Sequence, residues 1–170
     1  GTRAAVNIRK TYSIMRINLS FYRSHRDSFV ISLILILTFL IYSPVLRHEF
    51  INMDDFTLIK KNPQVKTLSP ENIKHIFSST PHDTYIPLTI LSFALEYQLA
   101  QEKPFLYHLN NILLHLIVVF LIFQLAKALG LGLWGAAITS FIFSLHPMHV
   151  ESVAWVSERK DVLYSIFYLG

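Results

Sequence analysis

From Phe29 to Leu46 the chain carries no charged side chain, and a helix needs about 20 mainly apolar residues to cross a bilayer. A second apolar run, Phe105 to Leu129, holds one Lys or Arg side chain, Lys127, close to its end. Inside lipid every backbone N–H and C=O must find a partner within the protein, so long apolar runs of this kind restrict the fold to helices. The expected fold class is therefore all-α, a polytopic helical membrane protein with amphipathic juxtamembrane helices. Composition points the same way, with 52% hydrophobic and 15% charged residues. Cysteine is absent, which removes any disulfide framework or thiolate metal site.

Arg3, Arg9, Lys10, Arg16, Arg23 and Arg26 precede the first run, opposed by Asp27. The positive-inside rule places this arm on the cytoplasmic side. Basic residues beside a spanning helix are accounted for by topology and anionic lipid, so no nucleic-acid partner is expected. An Arg-rich start also resembles an organellar transit peptide. The stretch SPVLRHEF has no small-x-small cleavage site, so the first run reads as an uncleaved anchor.

The organisation follows from these runs. Residues 1–28 form the basic arm, 29–46 a first transmembrane helix, and 47–104 an extracytoplasmic loop. Within the loop, Ser69-Pro70-Glu71 is a helix start, with Ser as N-cap and Pro at the first position. Pro87 to Leu99 predicts a short helix lying along the membrane. Leu88, Leu91, Leu95 and Leu99 make one stripe of it, and Thr89, Ser92 and Glu96 another. Residues 105–129 predict the second crossing, Gly130, Gly132 and Gly135 a tight turn, and 133–147 a third crossing that Pro147 ends. Residues 148–160 return to the outer face. A fourth apolar helix begins at 161, and the sequence stops within it at Gly170, so the expectation is a piece of a longer protein.

Four motifs stand out: INMDD at Ile51–Asp55, YIPLTILSF at Tyr85–Phe93, YHLNNILLH at Tyr107–His115 and HPMHVESVAWVSERKD at His146–Asp161. Together, in this order, they resemble the amino-terminal part of TMTC-type proteins. These are multispanning transferases of the GT-C superfamily related to protein O-mannosyltransferases, and bacterial members also carry tetratricopeptide repeats. The resemblance implies an inverting transfer of a sugar, by analogy mannose, from a polyprenyl-phosphate donor to a hydroxyl acceptor such as Ser or Thr of an exported protein. It implies a bacterial inner membrane or an endoplasmic reticulum membrane. A non-catalytic membrane anchor for a repeat domain is the alternative.

Asp54 and Asp55 are adjacent carboxylates, whose repulsion favours a raised pKa on one of them and so a proton acceptor. The resemblance places an acidic residue or pair at this location, matching Asp54 and Asp55; Asp54 is the choice for the base, with Asp55 as helper or acceptor-binding group. In the last motif, Arg159 and then Lys160 are the candidates for the donor phosphate, since guanidinium offers a planar fork to oxyanions. His149 would add a hydrogen bond, and Glu151 and Asp161 would hold the cations or touch sugar hydroxyls. His146, His149 and Glu151 could instead recruit a divalent metal, but His-Pro-x-His matches no strong ligand spacing, and no cofactor is expected. An ordinary ion-pair network at a helix end is the bland reading of the same residues. His108, Asn111 and His115 share a helix face, where polar groups usually join helices. Of these, His108 is the site candidate. In the family the position of Ile86 usually carries Arg, so either donor recognition differs or the missing cation comes from Lys60 or Lys61.

Overall fold

The computed structural model describes residues 25–80 and 84–170. The basic arm lies outside the described residues except at its last four positions. Helix α1 spans His25–Tyr42 and runs on into a 3₁₀ turn, Ser43–Arg47, where Pro44 removes a backbone donor. Short turns at Phe56–Lys60 and Pro63–Val65 lead to α2, Pro70–Ser78, and α3, Pro87–Ala100. The long helix α4, Pro104–Ala128, is followed by α5, Gly132–Leu145, α6, Met148–Ala154, and α7, Arg159–Leu169. No strand occurs among the described residues.

Two of these helices, α1 with its 3₁₀ extension and α4, are long and apolar enough to cross a membrane. Only 28% of the apolar window of the first and 39% of the second is buried within the protein. The core helix of a water-soluble domain would be mostly covered, whereas α1 leaves Phe29, Leu33, Ile36, Leu40 and Ile41 exposed along its length. This is an all-α membrane architecture. Ile31 and Ile34 of α1 pack against Val119, Phe123 and Ala126 of α4 and against Ala136 and Ala137 of α5. Small side chains at 136, 140 and 144 form the buried stripe of α5, with Trp134, Ile138 and Ile142 outside. Such stripes let helices approach closely in lipid, where no hydrophobic force drives them together. Helix α5 has 14 residues, a rise of about 21 Å against about 30 Å of hydrocarbon.

The α4–α5 joint shows why glycine is needed there. Gly130 has φ +85, its N–H bonds the Lys127 carbonyl at 3.0 Å, and Leu131 N–H reaches back to Ala126 at 3.1 Å. That pattern is a Schellman cap, whose left-handed residue favours glycine. Gly132 also has positive φ, at 66. Gly135 does not belong to the turn; it lies inside α5, where an added Cβ would come within 2.9 Å of Leu131 Cβ.

The 47–104 segment folds back over one end of the bundle around its own core. Ile59, Val65, Ile76, Ile90 and Phe93 meet Tyr107 of α4 and Val156. Ser69 caps α2 as its sequence requires, accepting the Asn72 N–H at 3.1 Å. In α3 the polar stripe faces inward, with Thr89 and Glu96 buried, and Leu88, Leu95 and Leu99 point outward.

Candidate functional site

Asp54 and Asp55 begin a short helical turn, and a helix turns by about 100° per residue, so the two carboxylates have different surroundings. Asp55 is 0% exposed. Its Oδ2 accepts the Ile51 N–H at 3.0 Å, and its Oδ1 accepts both the N–H of Ser157, at 2.9 Å, and the Ser157 hydroxyl. Asp54 is exposed, and it is its backbone carbonyl that takes a bond, from the Thr57 hydroxyl at 3.1 Å. Buried Asp55 thus ties the first loop to the segment between α6 and α7 and leaves Asp54 facing outward beside it.

Arg159 is also 0% exposed and is surrounded by acceptors. Its Nε donates to Asn111 Oδ1 at 2.6 Å, Nη1 to Ser92 Oγ at 2.9 Å and to Glu96 Oε1, and Nη2 to the Tyr107 carbonyl at 2.9 Å. The guanidinium lies 4.6 Å from the centre of the Phe93 ring. Burial lowers its pKa and raises that of Glu96, and each offsets the other through their opposite charges. Asn110 donates to the same Glu96 oxygen. The network joins α3, α4 and α7, and it places Arg159 in the interior rather than at a surface open to a phosphate.

Lys160 is the neighbouring cation that remains accessible. Its Nζ bonds Glu158 Oε1 at 2.9 Å. That bond is the main cause of its raised pKa, to which the fields of Glu158, Asp161 and Asp54 add. Lys160 and Asp161 border an open groove of about 490 Å³ whose other walls include Tyr85, Ile86, Tyr164 and Phe167. Lys160 is therefore the cation that shares a groove with Ile86. Lys60 and Lys61, the expected substitutes, instead lie over the Phe50 and Phe56 rings, at 5.6 and 4.8 Å.

His149 lines a different pocket with Asp161, and burial first and His146 second lower its pKa. Its ring centre is 6.1 Å from that of His146, and Glu151 is exposed. Among the described residues no three His, Cys, Asp or Glu side chains are grouped to hold a metal ion. His108 is buried in α4, its ring edge-on to His48 at 6.4 Å. Asn111 and His115 do join elements. Asn111 Nδ2 donates to the carbonyls of Val153, Trp155 and Val156, and His115 donates to Ser144 O at 3.1 Å.

Comparison with curated proteins adds a family to this geometry. The mouse protein O-mannosyl-transferase TMTC1 is 34% identical over 140 residues, 76% of this chain and 15% of its own length. Human TMTC3 is 36% identical over 127 residues, covering 69% of this chain and 14% of the relative. Protein O-mannosyl-transferase tmtc2 of Xenopus laevis is 38% identical over 141 residues, covering 76% and 16%. By sequence, the chain is TMTC-like. It spans about 15% of the length of these relatives. No family model matches the chain, and no solved structure does.

Two further residues of the candidate site, Ser157 and Glu96, are not among the candidates the sequence offers. Ser157 holds Asp55 but looks like any other serine in the sequence. Glu96 was visible as a polar stripe on an otherwise apolar helix, and a lone carboxylate in such a helix demands a buried cation. Arg159 is that cation.

Proposed function

We propose that this TMTC-like chain is the amino-terminal, membrane-embedded part of a GT-C type glycosyltransferase that carries a mannosyl group from a polyprenyl-phosphate donor to a hydroxyl of an exported protein. The observation that carries the reading is the division of labour between the paired carboxylates. Asp55 is spent on three hydrogen bonds, and Asp54, set by it, faces outward within the field of Lys160.

In the proposed step the acceptor oxygen attacks C1 of the sugar as its proton passes to the Asp54 carboxylate. The C1–O bond to phosphate breaks, the phosphate leaves with the electron pair, and C1 inverts. Lys160 meets the charge developing on that phosphate, the task for which a positioned cation is most effective. Arg159 acts as a positioning residue, holding α7 so that Lys160 and Asp161 face the groove. The amino terminus is cytoplasmic and the site opens on the opposite side, in an endoplasmic reticulum or bacterial inner membrane. Tetratricopeptide repeats elsewhere in the protein would present the acceptor.

The test is transfer of radiolabelled mannose from polyprenyl-phosphate mannose by the full-length protein in membranes. Asp54→Asn should abolish transfer with donor binding retained, and Lys160→Ala should weaken donor binding. Transfer unchanged in Asp54→Asn would sink the reading and leave a membrane anchor in its place.

A further inference from the structure

Beside the groove that contains Lys160 lies a second, smaller pocket of about 240 Å³, and Asp161 lines both. Its walls come from four helices: His115 of α4, Phe143 of α5, His149 and Ser152 of α6, and Asp161 and Ser165 of α7. The hydrogen bonds already made there define what remains for a ligand. Asp161 Oδ2 accepts the Ser152 hydroxyl at 3.1 Å, which leaves Oδ1 without a donor among the described residues. Ser165 turns its proton back to the Asp161 carbonyl at 2.8 Å and keeps its lone pairs. His115 donates Nε2–H to Ser144 O, so its Nδ1 is an acceptor. Burial lowers the pKa of His149, which favours its neutral ring, with one nitrogen to donate and one to accept. The Phe143 ring lies 4.2 Å from the His149 ring and supplies an aromatic wall.

The ligand this lining fits is neutral, rich in hydroxyls and apolar on one face. A phosphate would meet Asp161 as a like charge with no cation among the lining residues. Among the described residues no three His, Cys, Asp or Glu side chains converge to hold a metal ion. At about 30 Å³ per water, the volume equals about eight waters, room for one sugar ring rather than a chain of them. We propose that this pocket seats the hexosyl ring of the donor, with Asp161 accepting its hydroxyls and Phe143 facing its C–H side. The phosphate then lies next door at Lys160. This rests on the donor-sugar reading above and adds the residues that would select the sugar.

The experiment compares equilibrium binding of polyprenyl phosphate and polyprenyl-phosphate mannose to the full-length protein in detergent. The wild type should bind the mannosyl lipid more tightly. Asp161→Asn should weaken that binding about tenfold, the worth of one charge-assisted hydrogen bond, while the bare lipid, relieved of a like charge in the groove it shares with Lys160, is not weakened. Ser165→Leu, which fills the pocket without touching a charge, should do the same. Lys160→Ala should weaken both lipids. A wild type without preference for the hexosyl lipid, or a preference that survives both pocket variants, would overturn the proposal. If the pocket variants lose the preference but Asp54→Asn still transfers sugar, the pocket stands and the catalytic base is wrong. A preference for a glucosyl over a mannosyl lipid, lost in Asp161→Asn, keeps the pocket and replaces the sugar.

Discussion

Ser157 donates its backbone N–H and its hydroxyl to the same oxygen of Asp55, 102 residues earlier in the chain. A buried carboxylate is tolerated only when its lone pairs are met, and here three donors meet them. The bond joins the loop after α1 to the turn that leads into α7. It therefore fixes the spacing between Asp54 on one side and Lys160 and Asp161 on the other.

Asp54 and Asp55 should consequently fail in different ways. Asp55→Ala strands the buried Ser157 N–H, and a buried unpaired group costs about 1–3 kcal/mol, while the N–H of exposed Ile51 can turn to water. Its thermal unfolding in detergent should move to clearly lower temperature, and Ser157→Ala should move it in the same direction by less. Asp54→Asn should unfold like the wild type and lose about 10²–10⁴-fold in transfer, the usual worth of a general base. Equal unfolding shifts for the two would show that the carboxylates are not divided in this way.

Arg159 is open to an equally direct comparison. Removing one member of a buried ion pair leaves the other uncompensated and costs about 3–5 kcal/mol. Arg159→Ala and Glu96→Ala should each be strongly destabilised, and Arg159→Met combined with Glu96→Leu should be less so than the sum of its single changes. Arg159→Lys keeps the charge but loses the fork that reaches Asn111, Ser92 and Tyr107 at once, so it too should unfold early. If Arg159→Lys instead unfolds normally and binds the donor lipid poorly, Arg159 contacts phosphate after all.

These pairs mark the limit of what the sequence could reveal. Helices α1 and α4 were legible because a long uncharged run admits few folds, and Ser69 and Gly130 announced a cap and a turn through local chemistry. Asp54 and Asp55 were visible as a pair, but nothing local tells which of them is buried. Arg159 stands beside Glu158 and Asp161, so adjacency implies a local ion pair, yet its partners lie on α3 and α4, 48 to 67 residues away. Periodicity separated the leucine stripe of α3 from its polar stripe. It could not say that the polar one turns inward, because that depends on a cation contributed by a distant helix.

At the opposite end of the bundle, Lys127 Nζ meets Asp27 Oδ2 at 3.1 Å, with both side chains largely covered. Asp27 sits in the first turn of α1 and Lys127 in the last turn of α4, so each also complements the dipole of its own helix. Asp27→Ala should cost about 1–3 kcal/mol, between the values for exposed and buried pairs. Exchanging the two residues should recover less than the whole loss, because each charge would then face the unfavourable end of its helix. Full recovery on exchange would mean that the helix dipoles contribute nothing here.

His149 gives the site a pH dependence whose sign can be worked out. Burial lowers its folded pKa below the ordinary imidazole value of about 6.5, so in the window between the two the unfolded chain binds more protons. Stability rises with pH wherever that holds. The contribution of His149 is thus fully present above about pH 6.5 and is lost as the pH falls toward the lowered folded value. The protonated ring would also face the imidazoles of His115 and His146, at 6.0 and 6.1 Å, and could no longer accept a hydrogen bond from a sugar hydroxyl. Thermal unfolding and hexosyl-lipid binding measured from pH 8 to 5 should both weaken below about pH 6.5, and His149→Gln should flatten the two curves over that window. A flattened stability curve with an unchanged binding curve would make His149 a packing residue and leave Asp161 to hold the sugar without it.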